Sequence, residues 1–177
     1  MPSAKEMNVL FGNDRNVLRF EYPHIVDKSS VDFSIIESMG NIPFNFTFEN
    51  RLKMLEPLSE AILRISSVTP EGIVVFLQSY NYLDSLLSHL KVSGWWRKIE
   101  ALKKIFCESK NSNTFLEYSN YMNLQGHSGA IIFCVIGGKL SEGINFSDHL
   151  GRLVLVCGIP YPSSDNEFIV KQTFMEQ

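Results

Sequence analysis

The chain has 177 residues, of which 45% are hydrophobic and 20% are charged, so its size favours one compact α/β domain and argues against two complete ones. Its net charge of -3 excludes a protein that is basic throughout, and any contact with nucleic acid must therefore come from a local patch or from backbone donors. The longest apolar runs, such as 130–136, are far shorter than the roughly 20 residues that cross a bilayer, so we expect no membrane partner.

The first 48 residues predict connecting structure followed by two strands. Turn-forming residues separate short apolar pieces as far as residue 30, which is typical of a connection. Residues 31–36 and 42–48 are rich in β-branched and aromatic side chains, with a turn at Gly40 and Asn41 between them. In the second run apolar and polar residues alternate, which predicts a strand with one aromatic face turned inward.

Two helices and a buried strand are predicted next. Apolar residues at helical spacing over 55–66 indicate an amphipathic helix, and the continuous apolar run 72–77 indicates a strand that is buried on both faces. Helical spacing returns over 82–90. It also returns over 95–106, where the basic side chains project away from the apolar stripe.

The last part of the chain completes an α/β pattern. Polar loops at 111–113 and 123–128 enclose a helical piece at 115–121, and 130–136 and 153–157 are two more candidates for buried strands. Strands that alternate with helices predict a parallel sheet with right-handed crossovers and with helices on both faces.

Neither the cysteines nor the histidines suggest a metal site or a disulfide framework. Cys107, Cys134 and Cys157 are isolated and show no paired spacing, and the four histidines have no ligand spacing. We therefore expect three reduced and mostly buried thiols and no metal site in this chain.

The segment 137–148, between the last two predicted strands, carries the groups best suited to a ligand. Gly137 and Gly138 can bring backbone N–H groups close to a phosphate, and Lys139 and Ser141 add a charge and a hydroxyl. The loop after a parallel strand is where ligands bind in such sheets. The same residues are also typical of an ordinary glycine turn with a helix-capping Ser, and composition alone leaves both interpretations open.

Residues 137–162, GGKLSEGINFSDHLGRLVLVCGIPYP, closely resemble motif V and the following strand of the XPD-like, iron-sulfur superfamily-two DNA helicases. Residues 72–80 resemble motif IV of that family, and 102–106 resemble its following basic helix. The Gly-Gly-Lys run and Asn145 resemble most the branch associated with sister-chromatid cohesion, the chromosome-loss helicases. An unrelated nucleotide-binding α/β domain is disfavoured because both motifs occur in the family's order.

The resemblance implies a RecA-like fold and a domain division. Residues 1–40 would be a segment leading in from a first motor domain, and 41–177 would be most of the second RecA-like domain, truncated at its C-terminus. It also implies two sets of contacts. Near the nucleotide are Glu142, with a coupling role, and Gly143 and Asn145. The residues implied to bind DNA are Gln78, Ser79, Lys103, Lys104, Lys139 and Ser141.

The family's nucleotide machinery is not found in this sequence. No G-x-x-x-x-G-K-[ST] loop occurs, and neither do the DEAH-type box, the four cysteines of the iron-sulfur cluster or the Gln-x-x-Gly-Arg-x-x-Arg segment. ATP and Mg²⁺ are thus implied for the full-length family, with the iron-sulfur cluster in its other motor domain. We expect no ATPase activity from this chain alone.

The implied function is part of an ATP-dependent DNA helicase in the nucleus, with roles in DNA repair and sister-chromatid cohesion. Its implied partners are single-stranded or forked DNA, the first motor domain, and cohesion or replication proteins. The alternative is a non-catalytic module from a truncated helicase paralogue that binds single-stranded DNA or a protein.

Overall fold

The structure is a computed structural model that describes residues 26–109, 113–142 and 144–159. Several predictions lie outside these residues: the connecting structure over 1–25, the loop at 111–112, the role of Gly143, and the end of the motif V resemblance at 160–162. The chain divides into two compact units, Met1–Ile35 and Ile36–Gln177. The predicted domain boundary after residue 40 stays a prediction.

In the first unit the described residues contain one 3-10 turn, Lys28–Ser30. Asp27 begins it, because its carboxylate accepts hydrogen bonds from both the backbone N–H and the hydroxyl of Ser29. The predicted strand over 31–36 is wrong, since these residues are exposed and have no regular secondary structure. Their β-branched and aromatic composition favours a strand, but composition cannot form a strand without a partner to pair with.

The second unit opens with a short hairpin. Strands β1 (Ser38–Met39) and β2 (Ile42–Pro43) pair antiparallel around Gly40, whose φ of +58° confirms the predicted turn. The predicted strand over 42–48 is therefore wrong beyond its first two residues. Phe44 and Phe46 still pack on the core, with ring centroids 5.6 Å apart, but as irregular chain.

Among the described residues, four parallel strands form the main sheet. They are β3 (Gly72–Leu77), β4 (Lys104–Cys107), β5 (Ala130–Val135) and β6 (Leu153–Val156), in the spatial order β4-β5-β3-β6. All of β5 and nearly all of β3 is buried, which confirms that these apolar runs are interior strands of a parallel sheet.

Helices cover both faces of this sheet, as predicted. The helices are α1 (Leu55–Val68), α2 (Tyr80–Val92), α3 (Trp95–Glu100) and α4 (Thr114–Met122). One core contains Ile73, Val75 and Phe133 and is covered by α1, α2 and α3, whereas the other contains Val74 and Ile132 and is covered by α4. Two 3-10 turns, Arg51–Met54 and Asp148–Leu150, precede α1 and β6. In the described parts of the chain, no helix is both long and apolar enough to cross a membrane.

The predicted helix over 95–106 is wrong in its second half. The helix ends at Glu100, and the chain turns into strand β4, which pairs with β5. Lys103 lies in that turn with only 2% of its surface exposed, and its Nζ donates to the backbone oxygens of Glu71 (2.9 Å) and Ser128 (3.4 Å). The lysine therefore joins three loops at the amino edge of the sheet and is not part of a basic helical face.

Candidate nucleotide and nucleic-acid interface

The loops that follow the parallel strands meet at one edge of the sheet. The ends of the strands are joined by backbone hydrogen bonds, because the N–H of Ile136 donates to Leu77 and that of Cys157 donates to Phe76, both at 2.9 Å. The Gln78 side chain extends this connection to the loop after β6, since its Nε2 donates to the carbonyl of Ile159 (3.2 Å). The sheet thus brings motif IV and motif V residues to a common surface, the carboxyl edge.

Ser79 connects β3 to α2 and has a structural role of its own. Its backbone is extended, and its Oγ accepts a hydrogen bond from the N–H of Tyr82 (3.2 Å), which caps the helix. The first turn of α2 consequently begins at the carboxyl edge. Gln78 and Ser79 are both partly exposed there.

The loop after β5 is a tight turn over residues 137–141. Gly137 has a φ of +73°, a conformation that favours glycine. The N–H and the Oγ of Ser141 both donate to the carbonyl of Gly138, at 3.2 and 2.9 Å. Lys139 is exposed on this turn and Glu142 is exposed directly after it, whereas the hydroxyl of Ser141 holds the shape of the turn.

Glu108, which directly follows β4, is the site residue that the sequence patterns did not single out. Its carboxylate accepts hydrogen bonds from the hydroxyl of Tyr80 (2.9 Å) and from the N–H groups of Val135 (2.7 Å) and Leu140 (3.3 Å). Burial, followed by the hydrogen bond to Glu108, raises the pKa of Tyr80. The sequence offered one signal for Glu108, since it is an acidic residue at the C-terminal end of an apolar run. Its hydrogen-bond partners, however, are distant in sequence.

A cleft of about 420 Å³ opens beside this network. Polar groups of Ser109 and Asn113 line it together with Lys139, and Phe115 and Leu140 contribute apolar surface. The cleft lies between the loops that follow β4 and β5. It therefore adds a recess to the carboxyl edge.

Asn145 is exposed on the segment that returns from β5 to β6. Its neighbours anchor this segment, because Phe146 packs edge-on against Phe115 with ring centroids 5.4 Å apart. The hydroxyl of Tyr118 also donates to the carbonyl of Leu150 (2.6 Å). Asn145 thus lies directly before a segment that is anchored at Phe146 and at Leu150.

Lys103 and Lys104 lie at the opposite edge of the sheet. Lys104 and Gly72 are both in register with Ala130, the first residue of β5, so the two lysines sit where the strands begin. Strands of this length separate the two edges by roughly 20 Å. The structure thus brings Gln78, Ser79, Lys139 and Ser141 together and separates the other two lysines from them.

The thiols belong to the interior and not to this site. Cys134 and Cys157 are buried, Cys107 is half-buried, and none forms a disulfide. Burial raises the pKa of all three thiols. No group of three or more potential metal ligands was found among the residues that the structure describes.

Known proteins resemble this chain along most of its length. The ATP-dependent DNA helicase CHL1 of Scheffersomyces stipitis is 37% identical and aligns with 99% of this chain, which spans 22% of that protein. The chl1 helicase of Schizosaccharomyces pombe is 35% identical over 97% of this chain and 21% of its own length. The regulator of telomere elongation helicase 1 homolog of Drosophila willistoni is 35% identical over 88% of this chain and 16% of its own.

Two further comparisons, one with a solved structure and one with a family model, agree with these relatives. A solved XPD helicase structure aligns with 75% of this chain and 22% of its own, with a TM-score of 0.56 at 23% identity, which supports the RecA-like fold. The chain spans about a fifth of the length of the curated relatives it matches. Residues 62–177 match the family described as the helicase C-terminal domain. Since that match covers more than half of the sequence, the chain belongs to the helicase C-terminal domain family.

Proposed function

We propose that this domain acts within an ATP-dependent DNA helicase, where its carboxyl edge holds a DNA strand next to one wall of the nucleotide site. The observation that carries the proposal is the meeting of the loops after β3, β5 and β6 at that edge. Gln78 joins the first to the third, and Glu108 joins the start of α2 to the loop after β5. CHL1 relatives, which are DNA helicases by name, support the same function.

The proposed DNA contacts are Gln78, Ser79 and Lys139, whereas Ser141 is left out because its N–H and its hydroxyl both donate within the turn. Backbone N–H groups at the start of α2 and the Lys139 ammonium are donors suited to phosphate oxygens. Lys103 is left out, because its ammonium is buried and bonded to two carbonyls. Lys104 is exposed at the opposite edge of the sheet and is left out for its position.

The proposed nucleotide contacts are Glu142, Gly143 and Asn145, with Glu142 in the coupling role. Glu142 and Asn145 are exposed beyond β5, and their oxygens could accept hydrogen bonds from a nucleotide or from an arginine of a neighbouring domain. These groups fit one wall of a site, while the family's phosphate loop would hold ATP and Mg²⁺. We assign that loop and the iron-sulfur cluster to the first motor domain, as the proposed partner.

Fluorescence anisotropy with a labelled single-stranded oligonucleotide at low salt tests the DNA contact. Lys139→Ala should weaken binding on the order of 10-fold, the loss expected for one charged hydrogen bond. It should also reduce the salt slope of log K by about 0.7, as expected for one phosphate contact on a single strand. Lys104→Ala is the matched control and should leave both quantities unchanged. Equal effects of the two substitutions, or no binding by the unaltered chain, would refute the proposed interface.

The cellular setting of this activity is proposed from the resemblance of motif V to the chromosome-loss helicases. We propose a nuclear protein with roles in DNA repair and sister-chromatid cohesion, whose partners include cohesion or replication proteins. Imaging of the tagged full-length protein, with and without Lys139→Ala, would test this location and its dependence on DNA binding. If the isolated chain binds DNA but the full-length protein shows no DNA-stimulated ATP hydrolysis, the result would favour the non-catalytic module instead.

A further inference from the structure

The side-chain carboxylate of Glu108 takes the place of a backbone carbonyl as a hydrogen-bond acceptor in the sheet. Strand β4 pairs with β5 as far as Cys107, and the N–H of Glu108 then donates to the carbonyl of Phe133 (2.8 Å). The next N–H of β5 on that side, from Val135, donates to the Glu108 carboxylate at 2.7 Å. The side chain therefore continues the hydrogen bonding of the sheet beyond the end of β4.

The same carboxylate reaches two of the loops at the carboxyl edge. Its Oε1 accepts from the hydroxyl of Tyr80, next to Ser79, and from the N–H of Leu140, next to Lys139. Only 5% of the Glu108 surface is exposed. Gly138 leaves the space for this approach, since a Cβ on it would lie 2.5 Å from Oε1. A buried carboxylate needs several donors to offset its lost hydration, and here the donors come from both loops.

We propose that Glu108 is a positioning residue that fixes the motif V turn against the start of α2, so that Lys139 and Ser79 face the same DNA strand. This role rests on the proposed function of the carboxyl edge. Glu108 itself touches neither DNA nor nucleotide. It acts through the backbone N–H of Leu140 and the hydroxyl of Tyr80.

Glu108→Gln in the full chain tests this role with little change of shape. The amide nitrogen cannot accept a hydrogen bond, so either Val135, which bonds to Oε2, or Leu140, which bonds to Oε1, loses its acceptor. Amide exchange at whichever of the two faces the amide nitrogen should become faster on the order of 10-fold, as expected for a lost hydrogen bond to a charged group, while exchange at Ile131, near the start of β5, stays unchanged. Affinity for single-stranded DNA should fall, and this loss should disappear when Lys139 is already Ala.

Tyr80→Phe is the conservative second variant, because it removes the donor of α2 from Oε1, the oxygen that also accepts from Leu140, and leaves Val135 bonded to Oε2. Because Oε1 is then held less firmly, a smaller acceleration of exchange, confined to Leu140, is expected. Unchanged exchange at both Val135 and Leu140 in Glu108→Gln, or faster exchange at either one without loss of DNA affinity, would overturn the proposal. If Glu108→Gln speeds exchange at Ile131 as well, Tyr80→Phe decides: acceleration confined to Leu140 supports the role, and no acceleration overturns it. A lack of DNA binding by the unaltered chain refutes the proposed function separately, because exchange at Leu140 still reports the fixing of the turn.

Discussion

The two adjacent glycines of the motif V turn should respond differently to the same substitution. Gly137 has a φ of +73°, and a Cβ added there would meet no atom within 4 Å. Gly137→Ala therefore introduces only backbone strain, which should lower the free energy of unfolding by about 1 kcal/mol.

Gly138→Ala should cost more because its surroundings are full. The added Cβ would lie 2.5 Å from Glu108 Oε1, 2.8 Å from the Val135 carbonyl and 2.9 Å from the Tyr80 hydroxyl. Carbon and oxygen normally stay about 3.3 Å or more apart, so the Glu108 carboxylate must move. Losing one charged hydrogen bond and straining a side-chain rotamer should together cost about 2–4 kcal/mol.

Urea unfolding of the two variants, followed by circular dichroism, measures this difference directly. The m-value should stay the same in both, so that the midpoints report stability. Amide exchange at Leu140 should increase in Gly138→Ala more than in Gly137→Ala, because only the first displaces the carboxylate. A Gly138→Ala chain that is as stable as Gly137→Ala, or more stable, would refute the packing described around Glu108.

Three further substitutions or treatments test the surrounding structure. The hydrogen bond from Arg152 holds the pKa of Glu71 below its usual value. This pair therefore stabilises the fold at pH values above the usual pKa of Glu71, and that contribution is lost as the pH falls through the lowered pKa. Arg152→Gln should therefore show a shallower loss of stability in acid, measured by urea unfolding across that range. Burial raises the pKa of Cys107 to about 11, so a thiol reagent at neutral pH should label it far more slowly in the folded chain than in urea, as mass spectrometry would show. Tyr118→Phe should cost about 1–3 kcal/mol in urea unfolding, because the carbonyl of Leu150 loses its buried donor; an unchanged midpoint would contradict that contact.

Much of the fold could be predicted from the periodicity of the apolar residues. The apolar runs that became β3 and β5 are long enough and apolar enough on both faces to specify interior strands, and α1 and α2 follow a clear helical spacing. The stretch 101–107 was not readable in this way. A short apolar run fits a helix or a strand equally well, and pairing with β5 decides the matter.

The candidate site was predictable to the extent that it lies on loops after parallel strands. The loops of five candidate residues could be identified from the sequence, because these residues follow or flank such strands: Gln78, Ser79, Lys139, Glu142 and Asn145. The burial of Lys103 could not be predicted from the sequence, because basic side chains in a short segment usually indicate a solvent-exposed face. In the structure, the turn before β4 instead directs the Lys103 ammonium toward two carbonyls.

The sequence by itself thus determined the parallel α/β class and the family resemblance, because apolar period and glycine-rich loop chemistry are local properties of the chain. Tertiary structure alone decided which polar residues meet. Glu108 lies 28 residues from Tyr80 and 32 from Leu140, and no local pattern relates them. Only the order of the strands brings a single carboxylate to both loops, and the parallel direction of β4 and β5 places Lys104 and Lys139 at opposite ends of these strands.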